Sequence, residues 1–124
     1  MYLVDSSGWI EHFTAGSLAD AFAPFLRQPA EALSSPIVIF EVYRKVRRSR
    51  SESEALLAVS QIRKVRVEPV TEAVALEAAE LSLNHGLAMA DALVYATARL
   101  FHAVLVTSDA DFAELPGVEY FPKT

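Results

Sequence analysis

Four carboxylates, Asp5, Glu41, Asp91 and Asp109, each stand where the local hydrophobic pattern asks for an apolar or neutral residue, and this limits what the chain can fold into. An ionised carboxylate in apolar surroundings is costly unless it is paired. Only Glu41 has a basic residue close to it in sequence, Arg44. The fold must therefore carry these acids to a partner supplied from elsewhere. With no cysteine and three scattered histidines, His12, His85 and His102, the partner that fits an all-oxygen set is a hard divalent cation.

The local patterns around the acids predict short strands alternating with helices. Tyr2-Leu-Val-Asp5 reads as a strand ending on an acid, and Ser6-Ser7-Gly8 leads into a short helix through Phe13. Apolar residues at 18, 21, 22, 25 and 26 give a second helix over 18–28 that must accommodate Pro24 and stop at Pro29. Ala32-Leu33-Ser34 is a short strand, Ser35 an N-cap and Pro36 a first-turn proline. That helix carries Glu41 into a basic run, and Ser51 or Ser53 caps the next one, to about Lys64. A strand is expected over 66–70, a helix from Thr71-Glu72 to a stop at Gly86, and an almost wholly apolar helix over 88–101. Strands over 103–106 and 118–121 close the chain, joined by a short helix or turn at 111–115 and a Pro116-Gly117 turn. Strand and helix alternating in this way point to a small, mostly parallel sheet with helices on both faces, and 124 residues suit one domain spanning 1–124.

In open α/β sheets the ligand crevice lies beyond the carboxyl ends of the strands. Asp5 ends the first strand and Asp109 follows the 103–106 strand by a short step, so both point to one rim. Asp91 is the only charge in its apolar helix before Arg99, and Glu41 follows Ile37-Val-Ile-Phe40. Taken singly, each acid suits a helix N-terminus or a hydrogen-bonded role. Several converging at one rim repel unless protonated or bridged by cations, and Mg²⁺ or Mn²⁺ held by carboxylates is the setting in which phosphodiesters are hydrolysed.

The net charge of −5 argues against a polyanionic partner only in bulk. Residues 44–66 hold eight of the eleven basic residues and carry +6, against −11 for the remainder. Arg44, Arg47 and Arg48 begin about one turn after Glu41, where they suit substrate phosphates or the acidic residues of a protein partner. No apolar run approaches the ~20 residues of a membrane helix, and the opening residues lack the basic start of a signal peptide. A cytoplasmic protein is expected. Trp9 and Phe13 read as core or dimer packing, the histidines as ordinary helix or turn residues, and Leu76, Ala79, Glu80 and Leu83 as one face of an amphipathic helix.

Val4-Asp5-Ser6-Ser7, Pro36–Glu41, Ala90-Asp91-Ala92-Leu93-Val94-Tyr95 and Leu105-Val-Thr107-Ser-Asp109-Ala-Asp111-Phe112 together resemble the ordered motifs of PIN domains, and specifically the VapC ribonuclease toxins of toxin–antitoxin pairs. The resemblance spans almost the whole chain. It implies Asp5, Glu41, Asp91 and Asp109 as metal-binding catalytic acids, with Asp111 competing for the fourth place. Ser6 and Thr107 are then hydroxyls supporting that set. The implied activity is Mg²⁺- or Mn²⁺-dependent hydrolysis of RNA, of the tRNA or rRNA class, leaving a 5′-phosphate and a 3′-hydroxyl. A cognate antitoxin and a homodimer are the implied partners. Tyr95 departs from the small residue usual at its position. A housekeeping RNA-processing nuclease on the same fold is the main alternative. A receiver-like signalling domain fits less well, since Asp5 has no acidic neighbour and Lys123 is nearly terminal.

Overall fold

The computed structural model describes residues 1–123. Five strands, β1 (Tyr2–Val4), β2 (Ala32–Ser34), β3 (Arg66–Val67), β4 (Val104–Thr107) and β5 (Val118–Tyr120), form one sheet in the order β3-β2-β1-β4-β5. Every neighbouring pair is parallel, so each connection is a crossover through helices. These are α1 (Ser6–Phe13), α2 (Ala19–Leu26), α3 (Pro36–Ser49), α4 (Glu52–Ile62), α5 (Glu72–His85) and α6 (Met89–Leu100). The chain steps outward from β1 to β2 and β3, then returns to β4 beside β1. Right-handed crossovers therefore place α1–α4 on one face and the α5–α6 hairpin on the other.

Register follows the burial pattern. Leu3 lies opposite Leu33 on one side and Leu105 on the other, and all three are essentially inaccessible. Helix α3 contributes Val38, Val42 and Val46 to the core, spaced to share one face, and α4, packed along α3, adds Ala55, Ala58 and Ile62. From the opposite face α6 buries Val94, Tyr95 and Ala98.

The helix boundaries have local causes. Ser35 and Ser51 each accept a backbone N–H with their hydroxyls, at Ile37 and Glu54, both 3.1 Å, and Thr71 does the same for Val74 at 3.2 Å. Gly86 ends α5 at φ +69°, a conformation glycine adopts without strain. The strand expected over 66–70 is shorter. The Glu68 N–H still donates to the Ser34 carbonyl at 2.9 Å, but Pro69 has no N–H with which to extend the ladder. Helix α6 is buried along its middle, while Met89 and Leu100 at its ends are 78% and 41% exposed. Tyr95 fits by burying its ring and donating its hydroxyl to the Pro116 carbonyl at 2.6 Å, which fixes the turn before β5. Among the described residues no helix is long and apolar enough to cross a membrane.

Candidate metal centre

The strand order reverses between β1 and β4, so a crevice opens beyond their carboxyl ends. Asp5 stands at the end of β1. Its N–H donates to the Val106 carbonyl at 2.9 Å, and its own carbonyl accepts from Gly8 and Trp9 as α1 begins. The backbone is thus held from both sides, and the side chain is not used to cap the helix. Instead its Oδ2 accepts the Thr107 hydroxyl at 2.9 Å and the Ser7 hydroxyl at 3.3 Å. Those hydroxyls also tie down the segment after β4: Thr107 Oγ1 accepts the Asp109 N–H at 2.9 Å, and Ser7 Oγ accepts the Ser108 N–H at 3.0 Å. One hydrogen-bond network therefore joins the loops that follow β1 and β4.

The other acids are carried by helices and by a short turn. Ser35 and Pro36 start α3, which places Glu41 in its second turn. Gly86 ends α5, the Ser82 hydroxyl holds the Leu87 carbonyl at 2.7 Å, and Asp91 follows in the first turn of α6. After β4, Asp109 accepts the Asp111 N–H on Oδ1 at 2.9 Å and opens a 3-10 turn over Ala110–Phe112. Asp91, Asp109 and Asp111 offer carboxylate oxygens all within 4.8 Å of one another.

The crowding shows in the protonation equilibria. Burial raises the Asp5 carboxyl from 3.8 to about 6; the Ser6 backbone and Thr107 hydrogen bonds oppose this, and the charges of Glu41 and Asp109 add to it. Burial also raises Asp91 to about 6, helped by the negative charges of Asp109, Asp5 and Asp111. Glu41 is raised by burial, opposed by the Ser6 hydroxyl, with Asp91 and Asp109 adding repulsion. The charges that act on Asp5, Glu41 and Asp91 thus come from within this group of acids, although only three of the group share the tight oxygen cluster.

The sequence-predicted residues take distinct places. Thr107 supports Asp5 directly. The Ser6 hydroxyl acts on Glu41, while the hydroxyl on Asp5 belongs to Ser7, which sequence reasoning passed over. The signal for Ser7 was its place in Asp-Ser-Ser-Gly; only the fold brings it to Ser108, 101 residues away. Asp109 and Asp111 both lie in the oxygen cluster with Asp91. No histidine belongs to it among the described residues. Trp9 is buried and stacked on Phe13 at 5.8 Å between ring centroids, so this pair serves the core. Lys123, which a receiver-like site would need beside its acids, instead pairs with the buried Glu11 at 2.9 Å. Arg44, Arg47 and Arg48 are exposed along α3.

A donor set made only of carboxylates, with oxygens close enough to share one ion, suits a hard divalent cation. A family model described as PIN domain matches residues 2–118. A comparison with curated proteins gives no match. Among solved structures the chain is similar to a toxin–antitoxin complex from Klebsiella pneumoniae, with 24% identity over 99% of this chain and 100% of that one and a TM-score of 0.81. It is similar also to VapC20 from Mycobacterium tuberculosis, described as a sarcin-ricin loop cleaving toxin, with 24% identity, 94% and 95% coverage and a TM-score of 0.77. VapBC2 from Rickettsia felis, bound to a DNA fragment from its promoter, gives 15% identity, 97% and 98% coverage and a TM-score of 0.76. At these identities the likenesses concern the fold.

Proposed function

The chain belongs to the PIN domain family, and from that premise we propose that it is a Mg²⁺- or Mn²⁺-dependent endoribonuclease, the toxin of a toxin–antitoxin pair. The observation that carries this reading is the convergence of Asp5, Glu41, Asp91, Asp109 and Asp111 on the crevice between β1 and β4, with three of them within 4.8 Å. Asp91, Asp109 and Asp111 would hold the ion, with Asp5 and Glu41 completing its surroundings. A divalent cation there supplies a more acidic water and offsets charge on a phosphodiester.

The protein's own part is positioning. Thr107 and Ser7 hold Asp5 Oδ2, which fixes the orientation of this carboxylate at the crevice. Asp5 and Asp91 take up protons near pH 6, and at neutral pH they are ionised and able to receive a cation or a proton from water. The buried wall formed by β1, β4 and α6 limits water to the open rim, where electrostatic interactions are stronger than in bulk. The substrate is RNA of the tRNA or rRNA class. An antitoxin occluding the rim, a homodimer and a cytoplasmic location complete the proposal, and the antitoxin has support in the structural neighbour described as a toxin–antitoxin complex.

The test is incubation of antitoxin-free protein with total cellular RNA, with Mg²⁺ or Mn²⁺ or with chelator, beside Asp91→Asn, followed by mapping of new 5′ ends. Discrete metal-dependent cuts missing with the variant are expected. Intact RNA in every arm, from folded protein, would overturn the reading.

A further inference from the structure

The segment that follows β5, Phe121–Lys123, leaves the sheet and reaches α2 and then α1. The Phe121 N–H donates to the Thr107 carbonyl at 2.9 Å, which carries the β4–β5 pairing one step further, and Pro122 has no N–H to continue it. The Phe121 ring stands edge-on to Phe22 at 5.4 Å between centroids and tilted against Phe25 at 6.1 Å. Lys123 then pairs with Glu11 of α1 at 2.9 Å, and among the described residues it is the only cation within ion-pair distance of that acid. Glu11 is 5% exposed. Its Oε2 accepts the Leu18 N–H at 3.2 Å, and its carboxylate stands where a Cβ on Gly16 would lie, so the turn after α1 is built around it. It is not among the charges that act on the crevice acids. A buried carboxylate deprived of its cation is costly, so the pair favours a single placement of the segment.

From this we propose that Phe121–Lys123 is a clasp for the metal centre, holding α1 against the loop after β4 and thereby fixing Asp5 and Ser7 opposite Asp109. Phe121 and Lys123 are positioning residues, each acting through a neighbour. The clasp rests on the reading of the crevice acids as a metal centre and adds to it the residues that keep its two halves together. One path runs through the backbone, from the Phe121 N–H to Thr107, whose hydroxyl donates to Asp5 Oδ2. A second runs through packing. Phe22 lies close enough to Gly8 that a Cβ there would meet its ring at 2.6 Å, and Gly8 follows Ser7, which bridges Asp5 and Ser108. The Lys123–Glu11 pair anchors the far end of the same helix. The hydroxyl network thus joins α1 to the loop after β4 inside the crevice, and the clasp joins them outside it. Asp5 and Asp109 repel while no cation lies between them, and a second tie limits how far the two segments part.

The test follows local opening of the metal-free protein. Amide hydrogen exchange is measured by NMR in chelator for wild type, Lys123→Met, Phe121→Leu and Lys123→Arg. The Ser108 and Asp109 amides donate to Ser7 and Thr107, and they should exchange roughly fivefold faster in Lys123→Met and Phe121→Leu. Amides in the middle of α6, on the other face of the sheet, should keep their rates. Lys123→Arg retains the cation and should restore wild-type exchange. Equal rates in all four proteins, or acceleration spread evenly to α6, would overturn the clasp, the latter by making the segment a general stabiliser. A parallel series with Mg²⁺ separates the two readings, because a bound cation should slow exchange at both amides in the wild type. Slowing by Mg²⁺ with no difference between variants sinks the clasp alone, and selective acceleration in chelator with no response to Mg²⁺ sinks the metal centre.

Discussion

Asp5→Asn should make the metal-free protein more stable at neutral pH, by an amount that grows as pH rises. Asparagine keeps a side-chain oxygen to accept from Thr107 and Ser7 but has no charge to bury. In the wild type the Asp5 carboxyl titrates at about 6 folded against 3.8 as its ordinary value. A carboxyl whose folded pKa lies above its unfolded one contributes stability that is complete below about pH 3.8 and is lost as pH rises through about 6. Over pH 4.5 to 7.5 this loss comes to about 2 kcal/mol. For a chain of 124 residues that corresponds to about 8 °C in melting temperature. The variant lacks this slope, and because the Asp5 charge also helps raise Asp91, removing it eases the neighbour in the same direction. The assay is thermal melting by circular dichroism, in chelator, of both proteins at half-unit steps from pH 4.5 to 7.5. The gap in melting temperature should widen steadily in favour of Asp5→Asn. A gap that stays constant across the range, or one that closes, would refute the claim that Asp5 is held as a costly anion.

Other consequences are as direct. Mn²⁺ should raise the melting temperature of the wild type by mass action, more at pH 7.5 than at pH 5.5 because Asp5 and Asp91 must lose their protons first; an equal rise in Asp91→Asn would remove that residue from the centre. RNA cleavage at saturating metal should climb with pH through about 6 and level off above it, and a flat profile from pH 5 to 8 would contradict the titration of Asp5 and Asp91. Ser7→Ala leaves the Ser108 N–H without its acceptor, so urea denaturation should show a loss of about 1–3 kcal/mol; an unchanged midpoint would make the Ser7 bridge incidental. At Gly8 an added Cβ meets Val4 Cγ1 at 2.5 Å and the Phe22 ring at 2.6 Å, so Gly8→Ala should cost about 1–3 kcal/mol, read as a lower midpoint with an unchanged m-value.

The parallel sheet was legible because β1, β2 and β4 are short, largely apolar runs of three or four residues, each followed by Ser or Asp. The acids stood out for the same reason, charges inside apolar runs. What sequence could not supply was the partition of neighbouring polar residues. Ser6 and Ser7 are adjacent and alike, and which of them meets Asp5 depends on the direction in which α1 leaves β1. Asp109 and Asp111 looked like rivals because spacing alone does not reveal the 3-10 turn that brings both to Asp91. The overlong third strand came from reading Val67 and Val70 as one run across Pro69, whose missing N–H ends the ladder.

Leu3 pairs with Leu105, 102 residues further along the chain, and this has a consequence for synthesis. While a ribosome is still making the protein, Asp5, Glu41 and Asp91 are present well before β4 exists. Until β4 arrives, β1 is an edge strand, and neither Thr107 nor Ser108 is there to fix Asp5 and Ser7. Native pairing of this range forms late, and a chain shortened near residue 100 would carry three of the acids without the strand that aligns them. The ordered acidic cluster therefore forms only once β4 has paired with β1.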